Sequence, residues 1–431
     1  MRYDKIDPKL FIENRKRFVE RLKPSSVAVF NSNDIMPTSA DGTMPFIQHT
    51  DIFYLSGIDQ EKSILVINPD AKDPAHREIL FLIETNDEIA IWEGAKLSKK
   101  QATEVSGIET VMWLSDFETT FKSLVFDAEN IYLNTNEHLR ADTTVETPDD
   151  RFRVTCKKQY PLHNYMRLAP IMHDLRTIKS QPEIDVMQKA CDITEQGFRR
   201  VLAFTKPGVK EYEIEAEITH EFVRNGSRRH AYTPIIASGF NACVLHYIDN
   251  DQVCKDGDLM LMDFGCEYGN YASDLTRTIP VNGKFSERQA AVYSAVLRVH
   301  KAAAKMLVPG NNLVDYHVEV GNLMTQELLS LGLITADDVA NEDPKWPAYK
   351  KFFMHGTSHH IGVDVHDYGH RYKTFEAGMV FTVEPGIYIR EENMGIRIEN
   401  DYVIQETGEP FDLMRNIPFE IEEIESLMNK A

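Results

Sequence analysis

Five side chains able to hold a metal ion are grouped toward the C-terminal end of this chain: Asp263, Asp274, His359, Glu384 and Glu399. They lie in the segments LMDFG, SDLTRT, HGTSHH, TVEPG and IRIEN. Four carboxylates gathered at one place repel each other unless cations neutralise them, and a carboxylate can bridge two cations. An oxygen-rich set with one imidazole suits an ion such as manganese better than a thiolate set would. Two such ions about 3.5–4 Å apart can hold one bridging water as hydroxide and polarise a carbonyl, which is the chemistry of amide hydrolysis. A single Asp on a strand is more often an edge or turn residue than a ligand. Five together, each flanked by apolar residues that imply burial, must be paired or coordinated.

These side chains need elements that bring them together. LMLMDFGCEY reads as a strand, Gly269-Asn270 as a two-residue turn, and YASDLTRTIPV as the return strand. Glycine at the first central position predicts a type II′ turn. Tyr268 then faces Tyr271, Gly265 faces Asp274, and Asp263 faces Thr276. With period two, Asp263 and Asp274 share a face as diagonal neighbours, roughly 7–8 Å apart at the backbone. Thr276 is placed to offer its hydroxyl to a ligand. A one-residue slip would turn one Asp away. Glu384 and Glu399 likewise fall one in each of two apolar runs, GMVFTVEPGIYI and GIRIENDYVI, with Arg397 and Asp401 on the Glu399 face. Pro385 is a candidate bulge in the first run.

FFMHGTSHHIGVDVHD carries His355, His359, His360 and His366, and its apolar flanks argue against a loop lying wholly in solvent. His355 and His359 are four apart, but no Glu lies between them and Gly356, Thr357 and Ser358 make poor helix. A helical zinc-protease motif is therefore not the reading. His246, isolated in NACVLHYIDND, reads as structural on its own residues.

Taken in order, MDFGCEY, SDLTRT, HGTSHHIGVDVHD, TVEPGIYI and GIRIEND resemble the pita-bread metallopeptidases, most closely their aminopeptidase P (Xaa-Pro aminopeptidase) branch. The resemblance is strong over the last two-thirds of the chain and looser over HTDIFYLSGIDQEKSILVINP and EIAIWEGAKLS. It implies two divalent ions, manganese first, with cobalt and zinc as alternatives. Asp263 would chelate one ion, Asp274 and Glu399 would bridge, and His359 and Glu384 would complete the other. His246, His355, His366 and Glu384 would be catalytic, Glu384 also receiving and passing on a proton. Tyr388, Arg397 and His366 would line a proline pocket, and Trp92 would reach a neighbouring subunit's site in a homodimer or homotetramer. The substrates implied are peptides with proline second. The resemblance also implies an α/β (α+β) chain: a pita-bread catalytic domain over 174–431 behind a smaller mixed α/β domain over 1–173. Two other functions stand beside this one. A prolidase would take only Xaa-Pro dipeptides, although Ser358 in HGTSHH departs from its HGxGH pattern. A non-enzymatic binding protein of the same fold is the other, against which the intact ligand set argues.

The rest of the chain is consistent with these readings. At 431 residues, two domains are expected. Sixty-seven acids against 47 bases give a net charge of −20, which argues against nucleic acid or an anionic membrane as partner. No apolar stretch follows MRYDKIDPKL, and five cysteines without paired spacing suggest reduced thiols in a cytoplasmic protein. Cys266 reads as a small core residue. SSVAVFNSN, KSILVINP, REILFLIE, EIAIWEG and NIYLNTN are strand candidates; ENRKRFVERL and DFETTFKSLV are helical. Ser180, Pro182 and Glu183 predict the start of a long helix. Pro207-Gly208 and Pro309-Gly310 each punctuate a helix pair that precedes a strand-rich block, a faint internal repeat. LITADDVANEDPKWPAYKK reads as a surface insertion with no assigned role.

Overall fold

The computed structural model describes residues 2–142 and 144–430. These form two compact units. One runs from Asp4 to Arg176; the other comprises the chain from Thr177 onward together with the N-terminal residues up to Tyr3.

The first unit is built on a mixed sheet. Its strands are β1 (Ser26–Asn31), β2 (Ile64–Ile67), β3 (Glu78–Leu82), β4 (Thr110–Trp113), β5 (Asn130–Leu133) and β6 (Asn164–Arg167). They lie in the order β4-β3-β2-β1-β5-β6. β1, β2 and β3 pair antiparallel, and β4, β5 and β6 join in parallel. Both faces are covered, so strand residues alternate between two cores: Ala28 and Phe30 into one, Val27 and Val29 into the other. The covering helices are α1 (Pro8–Val19), α2 (Thr50–Ser56), α4 (Lys99–Ser106), α5 (Phe117–Asp127), α6 (Pro148–Gln159) and α7 (Ala169–Thr177), while α3 (Asp87–Glu93) buries none of its residues. EIAIWEG, expected as a strand, is helix α3. The Asn86 side chain accepts from Ile89 N, Asp87 and Glu88 fill the first turn, and Gly94 ends the helix. TVMW and NYMR, not foreseen, supply β4 and β6.

The second unit repeats one plan twice. Helices α8 (Gln181–Phe204) and α9 (Glu211–Arg224) precede β7 (Ile235–Ser238), β8 (Leu259–Phe264), β9 (Glu267–Tyr268), β10 (Tyr271–Ala272) and β11 (Leu275–Pro280). Helices α10 (Glu287–Ala304), α11 (Leu313–Ser330) and the short α12 (Ala336–Ala340) precede β12 (Val380–Val383), β13 (Gly386–Ile389), β14 (Met394–Arg397), β15 (Asn400–Val403) and β16 (Phe411–Asp412); α13 (Ile421–Met428) follows. Each half holds a three-stranded sheet, β11-β8-β7 and β12-β15-β16. At the start of α8, Glu183 accepts from Ser180 N and Oγ at 2.8 Å each, as the sequence predicts. Its apolar stripe Met187, Cys191, Phe198, Val201 is buried, and so is Val292, Val296, Val299, Ala303 on α10.

Two ladders carry the acidic residues. In the first, Tyr271 pairs Tyr268 and Thr276 pairs Asp263, so a single register runs from the turn through both aspartates. The turn is type I′ rather than II′: Gly269 and Asn270 both have positive φ, 57° and 63°. Asparagine tolerates that conformation, so the strands keep their expected partners. In the second ladder Val383 pairs Asn400 and Gly386 pairs Arg397. The same register places Glu384 opposite Glu399. Pro385 interrupts the strand without shifting it, since Ile398 N donates to Pro385 O at 3.3 Å. Thr276 and Glu399 form the bridge between the ladders.

Candidate metal centre

Asp263, Asp274, His359, Glu384 and Glu399 all line one cavity of about 350 Å³, together with His246, His355, His366 and Arg397. Its apolar side is made by Ile235, Leu245, Ile248 and Val365. Asp263 is the last residue but one of β8, and Asp274 precedes β11. Glu384 and Glu399 occupy the irregular links β12–β13 and β14–β15. His359 reaches the site because its segment runs alongside β12: Thr382 N donates to His359 O at 3.0 Å, and Glu384 N donates to Thr357 O at 2.8 Å.

The Asp263 and Asp274 carboxylates converge on a residue that pattern reading did not select. Tyr232 donates its hydroxyl to Asp263 Oδ1 at 2.6 Å and also contacts Asp274 Oδ1. Its signal in HAYTPII is weak: a tyrosine between apolar neighbours whose buried hydroxyl needs a partner. Asp401, noted only for its face, is fully buried and accepts from Asp274 N at 3.0 Å. Thr276 donates to Glu399 Oε2 at 2.7 Å, not to Asp263 across the ladder, because the bridge brings Glu399 beside it.

The histidines divide by their hydrogen bonds. His359 Nδ1 lies 3.0 Å from His360 O. A carbonyl only accepts, so Nδ1 carries a proton and Nε2 faces the carboxylates, 3.4 Å from Asp274 and 3.9 Å from Glu384. His355 has both nitrogens engaged, Nδ1 with Gly356 O at 2.7 Å and Nε2 with Tyr388 OH at 2.8 Å. The His366 ring stands edge-on to His359, centroids 4.5 Å apart.

Two residues expected in the proline pocket are placed differently. Tyr388 does not line the cavity; it is buried among Ile235, Ala237 and Leu261. Arg397 does line it, but its nitrogens are committed: Nε to Thr276 Oγ1 (3.0 Å), one terminal nitrogen to Tyr388 OH (2.8 Å), the other to Asp263 Oδ2 (2.6 Å). A buried guanidinium must be paired, and these acceptors are the nearest. Trp92 is absent from the lining; it is 89% exposed on α3 of the first unit.

The electrostatics describe a site short of positive charge. Burial pushes the Glu384 carboxyl up to about 7, against the pull of His359 and Arg397. Burial and the neighbouring carboxylates hold Glu399 well above the usual range. Asp263 is raised by burial and Asp274 despite Arg397. Burial would lower His359, but its contact with Asp274 and the charge of Glu384 raise it to about 9. Cations bound among these carboxylates would offset their repulsion. Asp274, His359 and Glu399 each offer a ligand atom within 4.8 Å of the others, so the residues fit a metal. Oxygen donors with one imidazole, and no thiol in the lining, match a hard or borderline divalent ion.

Residues 185–406 match the model of metallopeptidase family M24, and residues 11–132 match the aminopeptidase P N-terminal domain. The chain is 35% identical to the Xaa-Pro aminopeptidase of Escherichia coli over 98% of both chains. It is 30% identical to human Xaa-Pro aminopeptidase 3 over 94% of this chain and 80% of that protein. Its structure is similar to zinc-substituted E. coli aminopeptidase P in complex with product (TM-score 0.87, 34% identity, 99% of both chains). It is also similar to Pseudomonas aeruginosa aminopeptidase PepP (TM-score 0.89, 32% identity, 98% of both chains). With its ligand-type side chains gathered in one cavity and both domains matched in order, the chain belongs to metallopeptidase family M24.

Proposed function

We propose that this hydrolase removes the first residue from peptides whose second residue is proline. The observation that carries the reading is the single cavity in which Asp263, Asp274, His359, Glu384 and Glu399 meet beside three further histidines. These five would hold two divalent ions, manganese first, with cobalt and zinc able to replace it. Bound there, such ions polarise the scissile carbonyl and lower the pKa of a water toward ~7. The protein's own residues do the rest. Tyr232 and Arg397 fix Asp263 from two sides, and Thr276 fixes Glu399. His366 and His246, on the cavity wall, supply donors to the developing oxyanion. Glu384 receives the proton lost by the attacking water and returns it to the proline nitrogen, which leaves only when protonated. His355 acts at one remove, by holding Tyr388 against Arg397. The proline ring packs on the apolar side formed by Leu245, Ile248 and Val365, beside His366.

A dipeptide-only prolidase and a non-enzymatic binding protein are less well supported, since the bacterial and human relatives compared above, which match nearly the whole chain, are named as Xaa-Pro aminopeptidases and the ligand set is complete. We place the enzyme in the cytoplasm as a homodimer or homotetramer, with Trp92 on the face between subunits. No helix among the described residues is long and apolar enough to cross a membrane. The decisive experiment compares Ala-Pro, Ala-Pro-Ala and Ala-Ala-Ala before and after chelation, then after refilling with manganese, cobalt or zinc. Cleavage of Ala-Pro-Ala after Ala, abolished by chelation and restored best by manganese, is expected. Cleavage of Ala-Pro alone would make it a prolidase. Equal rates on Ala-Pro-Ala and Ala-Ala-Ala would remove the proline requirement.

A further inference from the structure

The segment that carries His359 and His366 has almost no regular structure from Ile361 to Tyr372. No ladder fixes its far end, yet His366 must be held within a fraction of an ångström to act on a substrate. An ion pair lies directly behind it. Lys179 Nζ and Asp367 Oδ2 are 3.0 Å apart, and both side chains are only 1% exposed. Asp367 is the residue after His366, so the chain that turns one side chain into the cavity turns the next toward Lys179.

Each partner is tied to the elements around it. Lys179 N donates to Gly378 O at 2.8 Å, at the start of the strand that leads through β12 to Glu384. Asp367 N donates to His360 O at 2.9 Å, and Asp367 Oδ1 accepts from Tyr368 N at 2.8 Å. The backbone of Gly362 passes so close that a Cβ there would lie 2.2 Å from Asp367 Oδ2 and 2.7 Å from Lys179 Cε. Gly362 O in turn accepts from Ala272 N at 2.8 Å, two residues before Asp274. The pair therefore joins the His366 segment, the Glu384 strand and the Asp274 hairpin. Burying two charges is a poor way to gain stability, since well-packed apolar residues do as well or better. It can define one position, because separating the pair leaves a buried charge without its counter-ion, which is costly.

We propose that Lys179 is a positioning residue: acting through Asp367, it sets the direction of His366 toward the substrate carbonyl. This rests on the reading of His366 as an oxyanion donor.

The test is a double-mutant cycle on the metal-loaded enzyme cleaving Ala-Pro-Ala, with metal content measured on the same samples. K179M is expected to lower kcat roughly 10–100-fold, with KM and metal content little changed. H366A is expected to lower kcat about 10²–10³-fold. In the H366A background, K179M should cost nothing further, because its effect passes through the missing imidazole. General damage to the fold would instead multiply the two losses, and that result overturns the proposal. So does wild-type turnover in K179M. Full turnover in H366A would sink the His366 reading and this proposal together, whereas an impaired H366A with multiplying losses sinks this proposal alone. If K179M fails to fold, K179M/D367L replaces the pair by apolar groups of similar size. Its kcat should fall in the wild-type background and not in H366A; full activity would show that packing suffices and that the charges position nothing.

Discussion

Tyr232 is the residue on which the two aspartates depend. It places one hydroxyl against a carboxylate oxygen of each, so one group orients both. Y232F removes that donor and leaves the shape unchanged. We expect it to weaken metal binding about 10–100-fold, the usual cost of losing a group that orients a ligand. Calorimetric titration of the stripped protein with manganese checks this, and unchanged affinity would refute the assignment. Asp274 is the more severe case, since it stands beside both His359 and Glu399. D274A should lose nearly all turnover and much of its metal content by elemental analysis. Wild-type-like turnover would end the dinuclear reading. Neither Tyr232 nor the bonds of Arg397 to Asp263 and Thr276 could be read from pattern, because these contacts join residues 31 to 134 positions apart.

Among the elements, the two ladders do the positioning, and each is interrupted where its ligand sits. In the first the interruption is at Gly265, where a Cβ would fall 1.7 Å from Ser273 O. No side-chain rearrangement relieves a clash with backbone. G265A must therefore spread the hairpin next to Asp274, and we expect a loss of about 3 kcal/mol or more in denaturant unfolding of the metal-free protein. Near-native stability would mean that the strands part there without cost. The register of this hairpin was legible because the turn, the period and the two aspartates allow one solution. Its turn type was not, since glycine first fits both mirror-image turns until the following residue's φ is known. α3 was misread for a related reason: short apolar runs fit strand and helix alike, and the Asn86 cap decides.

At the scale of the whole catalytic unit, the helices grip the strands through buried polar contacts as well as apolar ones. His300 of α10 is 1% exposed, with Nδ1 3.1 Å from Ile398 O and Nε2 2.9 Å from Tyr402 OH. The carbonyl fixes the proton on Nδ1, and the tyrosine donates to Nε2. Burial and the nearby Arg277 push this imidazole down to about 3. The unfolded chain, with a value of about 6.5, takes up the proton first as pH falls. The contribution of His300 is thus fully present above about 6.5 and is lost as pH falls toward about 3. H300Q, which keeps a donor and an acceptor but does not titrate, should lose less stability than wild type between pH 7.5 and 5. Chemical unfolding of the metal-stripped proteins measures it, and parallel losses would show that His300 titrates normally.

The sequence by itself determined which residues carry the chemistry and how neighbours along a strand are arranged. Asp263 and Asp274 share a face, Ser180 and Glu183 begin α8, and the family motifs stand in order, all from local period and spacing. Only the tertiary structure decided what those residues touch. Glu399 meets Thr276, Arg397 spends its nitrogens on Asp263, Tyr388 and Thr276, Tyr388 leaves the cavity wall, and Lys179 finds Asp367. The physical reason is the same in each case. A buried polar group must find a partner, and which partner lies within reach is fixed by how the two ladders and their flanking segments pack, a property that no single segment holds.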